Sequence, residues 1–507
     1  MGDASGLLDF LASGSPVTGH RPWPRFCLNM GQWRDLIAVL ESREWSLLGL
    51  WAEPEEVHVA LYDEARKELA VASLACLDGR FPSLSSVRPG AIRLERAIQD
   101  LTGLVAEGLE DTRPWLDHGQ FSISHPLARG PAPAAPRPAT GYAFLSAEGE
   151  GLHQIPVGPV HAGIIEPGHF RFHANGETVV RLEERLGYVH KGIEALMQGK
   201  TPAEAAKLAA RVSGDSTVAY SIAFARAVEA ALGIEAPPRA QGLRGLMAEL
   251  ERLANHFGDI GAICNDAAFV FMHSQCSILR EKVLTASEAC FSHRLMMDRV
   301  VPGGVAQDLS GESARRLRDL AGTLRRAFEP LVEMYDNTPS IIDRTYGTGI
   351  VTPDLARRFA AGGFVGRASG RAFDARRDLA YPPYDKLDFE TSLLNRGDVG
   401  ARLWVRVEEA RASLTLIEKI LTDLPGGSLQ IPLPAGGGEG MAVVEGFRGD
   451  ILVWVRIGPE GRIMRCHSRD PSWFQWPLLE AAIDGNIVAD FPLCNKSFNC
   501  SYSGHDL

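Results

Sequence analysis

Two long stretches in the C-terminal half carry apolar residues at the spacing of an α-helix. In the first, residues 243–257, apolar positions fall at i, i+3, i+4, i+7, i+10 and i+14. In the second, residues 403–421, the steps alternate between four and three residues. Such stripes are typical of the buried seams of a helix bundle. The apolar residues are Leu243, Leu246, Met247, Leu250, Leu253 and Phe257, and then Leu403, Val407, Ala410, Leu414, Ile417 and Leu421.

The N-terminal part mixes strand and helix periods. Residues 45–63 and 67–77 carry alternating and β-branched apolar stretches, which predict strands, whereas residues 88–108 show near-helical spacing. Further strand-like pieces lie around Ile155–Arg181 and Met441–Ile457, beside the helical stripes. The expected fold class is α+β: a small α/β N-terminal domain, followed by a mainly helical bundle domain with peripheral β-hairpins.

A proline-rich run separates these two parts. Five of the sixteen residues in His125–Thr140 are proline, and such a segment tends to be an extended, semi-rigid spacer. The expected organisation is a domain at 1–124, a Pro/Ala-rich linker at 125–140 and a large domain at 141–507.

Composition and charge narrow the class of protein. The chain has 507 residues, 45% of them apolar, and a net charge of −11, which argues against a nucleic-acid partner. No apolar run reaches the roughly 18–20 residues that cross a bilayer, and no basic residue precedes the first short apolar stretch, so neither a span nor a signal peptide is expected. Eight scattered cysteines, without a C-x-x-C pair, indicate a reducing, cytoplasmic location.

Common catalytic and nucleotide-binding motifs are missing from the sequence. There is no G-x-x-x-x-G-K-[ST], no well-placed G-x-G-x-x-G, no G-x-S-x-G and no H-E-x-x-H. The glycine cluster Gly436–Gly440 follows no strand and precedes no helix, so it is interpreted as a hairpin loop.

Long ordered motifs in the large part carry a family resemblance. Residues 158–200 read GPVHAGIIEPGHFRFHANGETVVRLEERLGYVHKGIEALMQGK, and residues 246–269 and 465–482 continue it with LMAELERLANHFGDIGAICNDAAF and RCHSRDPSWFQWPLLEAA. They resemble the large subunit of group 4 energy-converting nickel–iron hydrogenases, of the hydrogenase-4 and formate hydrogenlyase type, and the 49-kDa subunit of respiratory complex I. Residues 108–119, GLEDTRPWLDHG, resemble the 30-kDa complex I subunit, which is fused to the larger one in some relatives.

The resemblance implies four cysteine ligands for a nickel–iron centre, and three of them are replaced. The stretch RVSGDSTVAYS has Ser213 and Ser216 where a C-G-x-C pair is expected, and SFNCSYSGHDL keeps Cys500 but has Ser503 three residues on. A serine hydroxyl is a hard ligand with a high pKa and does not replace a bridging thiolate. Hydrogenase activity is therefore not expected, and neither is a nickel–iron centre.

The same resemblance implies a quinone site, because complex I uses this cavity for a quinone headgroup. Its histidine loop is matched by His161 and, across an insertion, by His169, which could donate a hydrogen bond or a proton to the quinone. Glu166 matches a glutamate that gates protons in hydrogenases, and Asp259 matches the aspartate that pairs with the quinone-site histidine. For His161 a structural loop role, and for Glu166 a solvated loop carboxylate, are equally open.

Other polar residues are candidates for the cavity wall. Ser213, Asp215 and Ser216 stand where the complex I tyrosine segment lies, with Tyr220 displaced by about one helical turn, so a hydrated cavity is the alternative to quinone binding in the complex I manner. Arg367 matches a charged position around the cavity, where a structural ion-pair network competes with cofactor binding.

Three functions follow from the resemblance. The first is a peripheral-arm subunit of a membrane-associated, ion-translocating redox complex, with a quinone-type acceptor cavity; the second is a non-catalytic coupling subunit of such a complex. The third, an active nickel–iron hydrogenase, is opposed by the serines. The implied partners are an iron–sulfur small subunit, which carries the cluster, and membrane subunits of the antiporter and quinone-channel type. They would hold the chain on the cytoplasmic face, and any link to NADH would run through them.

Overall fold

The N-terminal part is built on a five-stranded sheet in a computed structural model that describes residues 6–130, 132–133, 142–161 and 165–507. The predicted strands of residues 45–63 and 67–77 form its antiparallel core, with Val57 paired to Leu74 and Ala52. The strands, in spatial order, are Ser15–Pro16, Arg25–Leu28, Glu68–Ala75, Glu56–Asp63 and Ser46–Glu53. Half of the predicted linker, residues 131 and 134–140, lies outside the described residues.

Two more sheets flank the large part where strands were predicted. One has three antiparallel strands, Leu152–Val157, His169–Asn175 and Thr178–Arg185. The other has the spatial order Ile463–Arg469, Asp450–Ile457, Gly438–Glu445 and His20–Arg21. Its last strand comes from the N-terminal part and pairs in parallel, so the two parts share a sheet. Two-stranded pairs are Arg80–Pro82 with Val105–Glu107, Ile123–Ser124 with Ala132–Pro133, and Val300–Val301 with Gly304–Val305.

The large part is a helix bundle, and both apolar stripes lie in it. Residues 243–257 belong to helix Pro238–Asp266, and residues 403–421 belong to helix Val399–Asp423. The second helix is capped by Asp398, whose carboxylate accepts the N–H of Ala401 at 2.7 Å. The α+β fold class is confirmed. The helices are Leu7–Leu11, Met30–Ser42, Ala91–Thr102, Ile193–Met197, Pro202–Ala209, Thr217–Leu232, Pro238–Asp266, Val270–Phe291, Gly311–Asp336, Pro339–Thr345, Pro353–Arg358, Gly363–Ala368, Ala375–Asp378, Val399–Asp423, Ser472–Ala482, Phe491–Phe498 and Tyr502–Asp506, with 3₁₀ turns at Gly214–Ser216, Tyr384–Lys386 and Val488–Asp490.

The structure of the glycine cluster at 436–440 differs from the predicted hairpin loop. Gly438 and Gly440 lie inside strand Gly438–Glu445 and not in a hairpin loop. Helix Thr217–Leu232 crosses this strand so closely that a Cβ at Gly440 would lie 2.0 Å from the carbonyl oxygen of Ala227. The glycines are therefore required by a close approach of two backbones, a tertiary cause that the local pattern does not show.

The hydrophobic core crosses the boundary between the two parts. Buried residues of the N-terminal part, such as Leu94 and Trp115, belong to the same apolar cluster as Trp473 and Phe498 near the C-terminus. Trp115 also donates through its indole N–H to His505 Nε2 at 3.2 Å. Among the described residues, no helix has the length and apolar content that crossing a membrane requires.

Candidate functional site

A cavity of about 310 Å³ lies where three distant segments meet. The first is the 3₁₀ turn Gly214–Ser216, which leads into helix Thr217–Leu232. The second is the turn between strands Gly438–Glu445 and Asp450–Ile457, which carries Arg448. The third is the chain after helix Phe491–Phe498, which turns sharply because Asn499 has a left-handed φ of 47°. The two segments that contain the positions of the family's metal ligands, now mostly serines, are thus brought together.

An ion pair joins two of these segments across the cavity wall. Arg448 Nη2 lies 2.6 Å from Asp215 Oδ2, and the same guanidinium donates to Ser216 Oγ and to the carbonyl of Asn499. Burial by itself would raise the pKa of Asp215, but the charge and hydrogen bond of Arg448 outweigh it and lower that pKa. The wall at this point therefore carries a fixed carboxylate and a fixed guanidinium.

The four positions implied for metal ligands offer hydroxyls and one thiol. Ser213 Oγ donates to Asp215 Oδ1 at 2.6 Å and lies 3.0 Å from Ser501 Oγ, and Ser216 lies beside the same carboxylate. Cys500 is buried, and burial, followed by the charge of Glu184, raises the pKa of its thiol well above the ordinary range. Burial thus favours the protonated thiol, and Cys500 is the one sulfur donor among the four positions.

Glu166 reaches the cavity from the predicted histidine loop. Its Oε2 accepts the N–H of Ser503 at 3.1 Å, and both residues line the cavity. The structure thus places the Glu166 carboxyl beside a position that the resemblance implied for a metal ligand.

The two predicted histidines contact backbone atoms of their own loop and do not line the cavity. His161 Nε2 lies 2.7 Å from the carbonyl oxygen of Gly168, and His169 Nδ1 lies 3.1 Å from that of Gly158. Burial lowers the pKa of His169, so its imidazole is neutral and donates to Gly158 while Arg171 donates to its Nε2. Gly158 has a φ of +82°, and a Cβ there would lie 2.2 Å from the Gly168 oxygen. The close approach of Gly158 and Gly168 closes the loop. The hydrogen bonds of His161 and His169 to these two residues hold it closed.

Asp259 contacts the cavity wall but does not pair with His169. Its Oδ2 lies 3.0 Å from Arg406 Nε, and its Oδ1 accepts from Asn499 Nδ2 at 2.9 Å. Since both nitrogens of His169 have other partners, the expected aspartate–histidine pair is not formed. Asp259 instead orients Asn499, which lines the cavity.

Arg367 lies in the protein core and not at the cavity. It is fully buried, and its guanidinium donates to Glu409 at 2.7 Å, to Glu445 at 2.9 Å and to the carbonyl of Phe373 at 2.9 Å. Because every guanidinium nitrogen is engaged, the cofactor-binding role expected for Arg367 does not fit. The contacts agree with the alternative expectation, which was a structural ion-pair network. The network also includes His256, 2.8 Å from Glu409.

Arg448, Asn499 and Tyr502 also line the cavity, and no sequence motif predicted them. Arg448 sits in the turn EGFRGD between two apolar strands, and an arginine between glycines at such a turn is a signal that could have selected it. No local pattern marks Asn499. Tyr220 is buried and donates to Asp470 at 2.6 Å, so it serves a core hydrogen bond.

A second cluster with metal-ligand chemistry lies between the two parts of the chain. Glu53, Glu56 and His58 have ligand atoms within 4.8 Å of one another. Arg456 lies 2.6 Å from Glu53, and Arg25 lies 3.3 Å from Glu56. Guanidinium groups already neutralise these carboxylates, so the cluster fits an interdomain ion-pair network better than a cation site.

Three family models match successive parts of the chain. The respiratory-chain NADH dehydrogenase 30 Kd subunit matches residues 35–133, the nickel-dependent hydrogenase matches residues 191–258, and the respiratory-chain NADH dehydrogenase 49 Kd subunit matches residues 266–435. The class is therefore a single chain that joins a 30-kDa-type region to a region of the hydrogenase and 49-kDa type.

Relatives identify the family within this class. Formate hydrogenlyase subunit 5 of Escherichia coli (strain K12) is 33% identical over 84% of this chain and 77% of the relative. Hydrogenase-4 component G of the same organism is 32% identical over 89% of this chain and 80% of the relative. The chain belongs to the family of these hydrogenase subunits, which confirms the resemblance found in its motifs.

Two further comparisons extend the family. The C/D subunit of NADH-quinone oxidoreductase from Phocaeicola vulgatus is 27% identical over 84% of this chain and 86% of the relative. A solved structure of the membrane-bound sulfane sulfur reductase, an archaeal respiratory membrane complex, contains a chain with a TM-score of 0.67 and 25% identity. The match covers 71% of this chain and 99% of that one.

Proposed function

We propose that this chain is a peripheral-arm subunit of a membrane-associated, ion-translocating redox complex related to hydrogenase-4 and NADH-quinone oxidoreductase. In this proposal the cavity takes a quinone-type acceptor in place of a nickel–iron centre. The observation that carries it is the chemistry of the cavity wall, where the Arg448–Asp215 ion pair and serine hydroxyls stand beside one protonated thiol.

The donor set does not fit nickel and iron. A bridged nickel–iron centre needs soft thiolate donors, and the positions implied for them hold Ser213, Ser216 and Ser503 beside Cys500. The charge of the nearby Arg448 guanidinium is balanced by Asp215. The ligand set alone therefore opposes a nickel–iron centre.

A quinone headgroup fits the same wall better. Its carbonyl oxygens need hydrogen-bond donors, and the cavity-lining residues Asn499, Asn495 and Lys496 each have a side chain that can donate. Glu166 is the carboxyl that enters the cavity from the loop, which suits it to pass protons to a reduced acceptor. We assign to His161 and His169 the role of holding this loop closed. We assign to Asp259 the role of orienting Asn499.

The size of the cavity favours the second candidate function. At about 310 Å³ it lies at the lower end of the roughly 300–1,000 Å³ usual for small-molecule sites. A non-catalytic coupling subunit would need no ligand here, and the ion pair would then serve to lock the three segments together.

The partners follow from the proposed role. An iron–sulfur subunit would deliver electrons, and antiporter-like and quinone-channel-like membrane subunits would anchor the chain on the cytoplasmic face. The names of the relatives, which include a membrane-bound hydrogenase subunit alpha of Pyrococcus furiosus, support a complex of this kind.

The decisive experiment uses the purified complex. Acceptor-dependent oxidation is measured with a short-chain quinone, and the complex is imaged with that quinone bound. Density beside Arg448 and Asn499, and loss of turnover in Asn499→Ala but not in the exposed control Asn265→Ala, are expected. Absence of both density and turnover in the wild-type complex would contradict the quinone site and would favour the coupling role.

A further inference from the structure

Two carboxyl groups, one fully buried and one largely buried, lie together behind the cavity wall. Glu184 is completely buried at the end of strand Thr178–Arg185, and Glu480 lies on helix Ser472–Ala482. The backbone N–H of Glu184 donates to Glu480 Oε1 at 2.7 Å, which fixes the two side chains beside each other. Glu184 Oε1 is buried and has no hydrogen-bond partner among the described residues.

One cation serves both carboxyl groups. Arg93 lies 3.2 Å from Glu184 through Nη1 and 2.8 Å from Glu480 through Nη2. The face of Trp115 holds this guanidinium, with 4.5 Å between Arg93 Cζ and the ring centre. Two carboxylates against one guanidinium leave an excess negative charge away from water, and such a charge is relieved by taking up a proton.

The ionisable groups around the pair also favour a protonated carboxyl. Burial and the neighbouring Glu480 raise the pKa of Glu184 well above its ordinary value, and Arg93 does not offset them. The pKa of Glu480 is also raised, first by burial, with Glu183 adding to it. Glu183 itself is paired with Arg113, so that guanidinium is already engaged. From the C-terminal segment, the thiol of Cys500 and the phenol of Tyr502 lie close enough to Glu184 to feel its charge.

The pair stands between two openings. On one side, Glu184, Glu480 and Arg93 line a cleft of about 600 Å³ between the two parts of the chain, where the Glu480 side chain is 22% exposed. On the other side lie Cys500 and Tyr502, and both residues line the cavity. A buried oxygen without a partner among the described residues is therefore placed between the solvent cleft and the cavity.

We propose that Glu184 and Glu480 share one exchangeable proton and form a proton route from this cleft to the cavity. At rest Glu184 carries the shared proton and Glu480 is ionised. Glu184 releases this proton on the Cys500 and Tyr502 side to the reduced acceptor in the cavity and becomes a carboxylate. A hydronium ion from the cleft then protonates Glu480, and transfer of that proton to Glu184 restores the starting state. The route rests on the proposed function in one respect. The proton is consumed by a reduced quinone, which needs one proton for each electron it gains.

The test combines a spectroscopic readout with kinetics in the intact complex. Glu480→Gln keeps the oxygen that accepts the Glu184 N–H but cannot carry a proton. Its acceptor turnover is expected to fall on the order of tenfold or more, with a changed pH profile and a larger solvent deuterium isotope effect. Glu480→Asp is expected to restore most of the turnover. Asp484→Asn, which lines the same cleft outside the pair, serves as the control and should behave as the wild type.

The infrared carboxyl band tests the shared proton without any acceptor. The complex should show a protonated carboxyl at neutral pH that exchanges in deuterium oxide and is lost in Glu480→Gln and Glu184→Gln. If neither variant removes such a band, or if Glu480→Gln turns over with an unchanged pH profile and isotope effect, the route is wrong. If the band is present but the wild-type complex reduces no quinone, the proton pair stands and the proposed function fails.

Discussion

Arg448 and Asp215, 233 residues apart in sequence, meet at 2.6 Å in the wall of the cavity. The arginine comes from a β-turn and the aspartate from a 3₁₀ turn. The pair does more than balance charge, because it fixes the spacing between the serine segment and the C-terminal segment that Arg448 also contacts.

Removal of the guanidinium should weaken the fold in a pH-dependent manner. In Arg448→Gln the carboxylate of Asp215 loses its partner, and since that side chain is 37% exposed the cost is about 1–2 kcal/mol, below that of a fully buried pair. The folded-state pKa of Asp215 is lowered from 3.8, so its contribution is complete above that value and is lost as the pH falls through the folded-state pKa. Thermal unfolding at pH 7 and in acid checks this, with the exposed Arg34→Gln as the control; an equal difference at both pH values would contradict it.

Glu251 gives an opposite dependence on pH. Burial raises its pKa from 4.5 to about 8, although its oxygens accept the N–H groups of Val218 and Ala219. The folded state thus holds a proton that the unfolded chain has released, and stability falls by up to about 1.4 kcal/mol per pH unit as the pH rises between those values. Glu251→Gln, which mimics the protonated form, should gain stability over the wild type from pH 6 to pH 8. A pH-independent difference in unfolding temperature would show that Glu251 is ionised in the fold.

Metal analysis should find no stoichiometric nickel in the purified complex. The reason is that three of the four positions implied for thiolate ligands, 213, 216 and 503, carry hydroxyls, which leaves Cys500 as the one sulfur donor. Elemental analysis by mass spectrometry, compared between the wild type and Cys500→Ala, is expected to give the same trace level. One nickel per chain in the wild type, lost in the variant, would overturn the assignment of the cavity.

His169→Ala should abolish acceptor turnover and leave assembly intact. The variant loses the hydrogen bond to Gly158 that closes the loop, so Glu166 at the other end is no longer held against Ser503. Turnover and the size-exclusion profile of the complex are measured together, with His153→Ala, an exposed histidine on the neighbouring strand, as the control. Unchanged turnover in the His169 variant would show that the loop is not part of the proposed site.

A methyl group at Gly440 should be costly. Its Cβ would lie 2.0 Å from the carbonyl oxygen of Ala227, and both partners are backbone in packed elements, so we expect a loss of about 3 kcal/mol or more. Gly426→Ala is the matched control, because nothing among the described residues lies within 4 Å of the position of its Cβ. Urea unfolding of both variants gives the comparison, and equal midpoints would mean that the helix can move away from the strand.

The helices were predictable because their signal is local. The apolar stripes at 243–257 and 403–421 follow the 3.6-residue period of a helix, and that period predicted the helices even though residues 242–254 are buried on every side. The glycines at 438 and 440 were misinterpreted because a loop and a close backbone crossing both favour glycine. Only the position of helix Thr217–Leu232 distinguishes the two.

The candidate site was predictable only in part. The family motifs placed Ser213 and Cys500 in one cavity, and the structure brings them there. Motif spacing did not predict that Asp259 turns to Arg406 and Asn499, because such a choice depends on which cation lies nearest in three dimensions. Arg448 was not predicted either, although its position in a glycine-flanked turn was a local signal.

The hydrogen bond between Trp115 and His505 spans 390 positions of the chain. The N-terminal sheet domain therefore cannot close its core when it leaves the ribosome, since part of that core, including Trp473, is made last. An N-terminal fragment should expose apolar surface and bind chaperones, whereas the full chain buries it. Because Cys500 and Tyr502 belong both to this shared core and to the cavity wall, a chain that closes its N-terminal core also has the C-terminal part of its cavity in place.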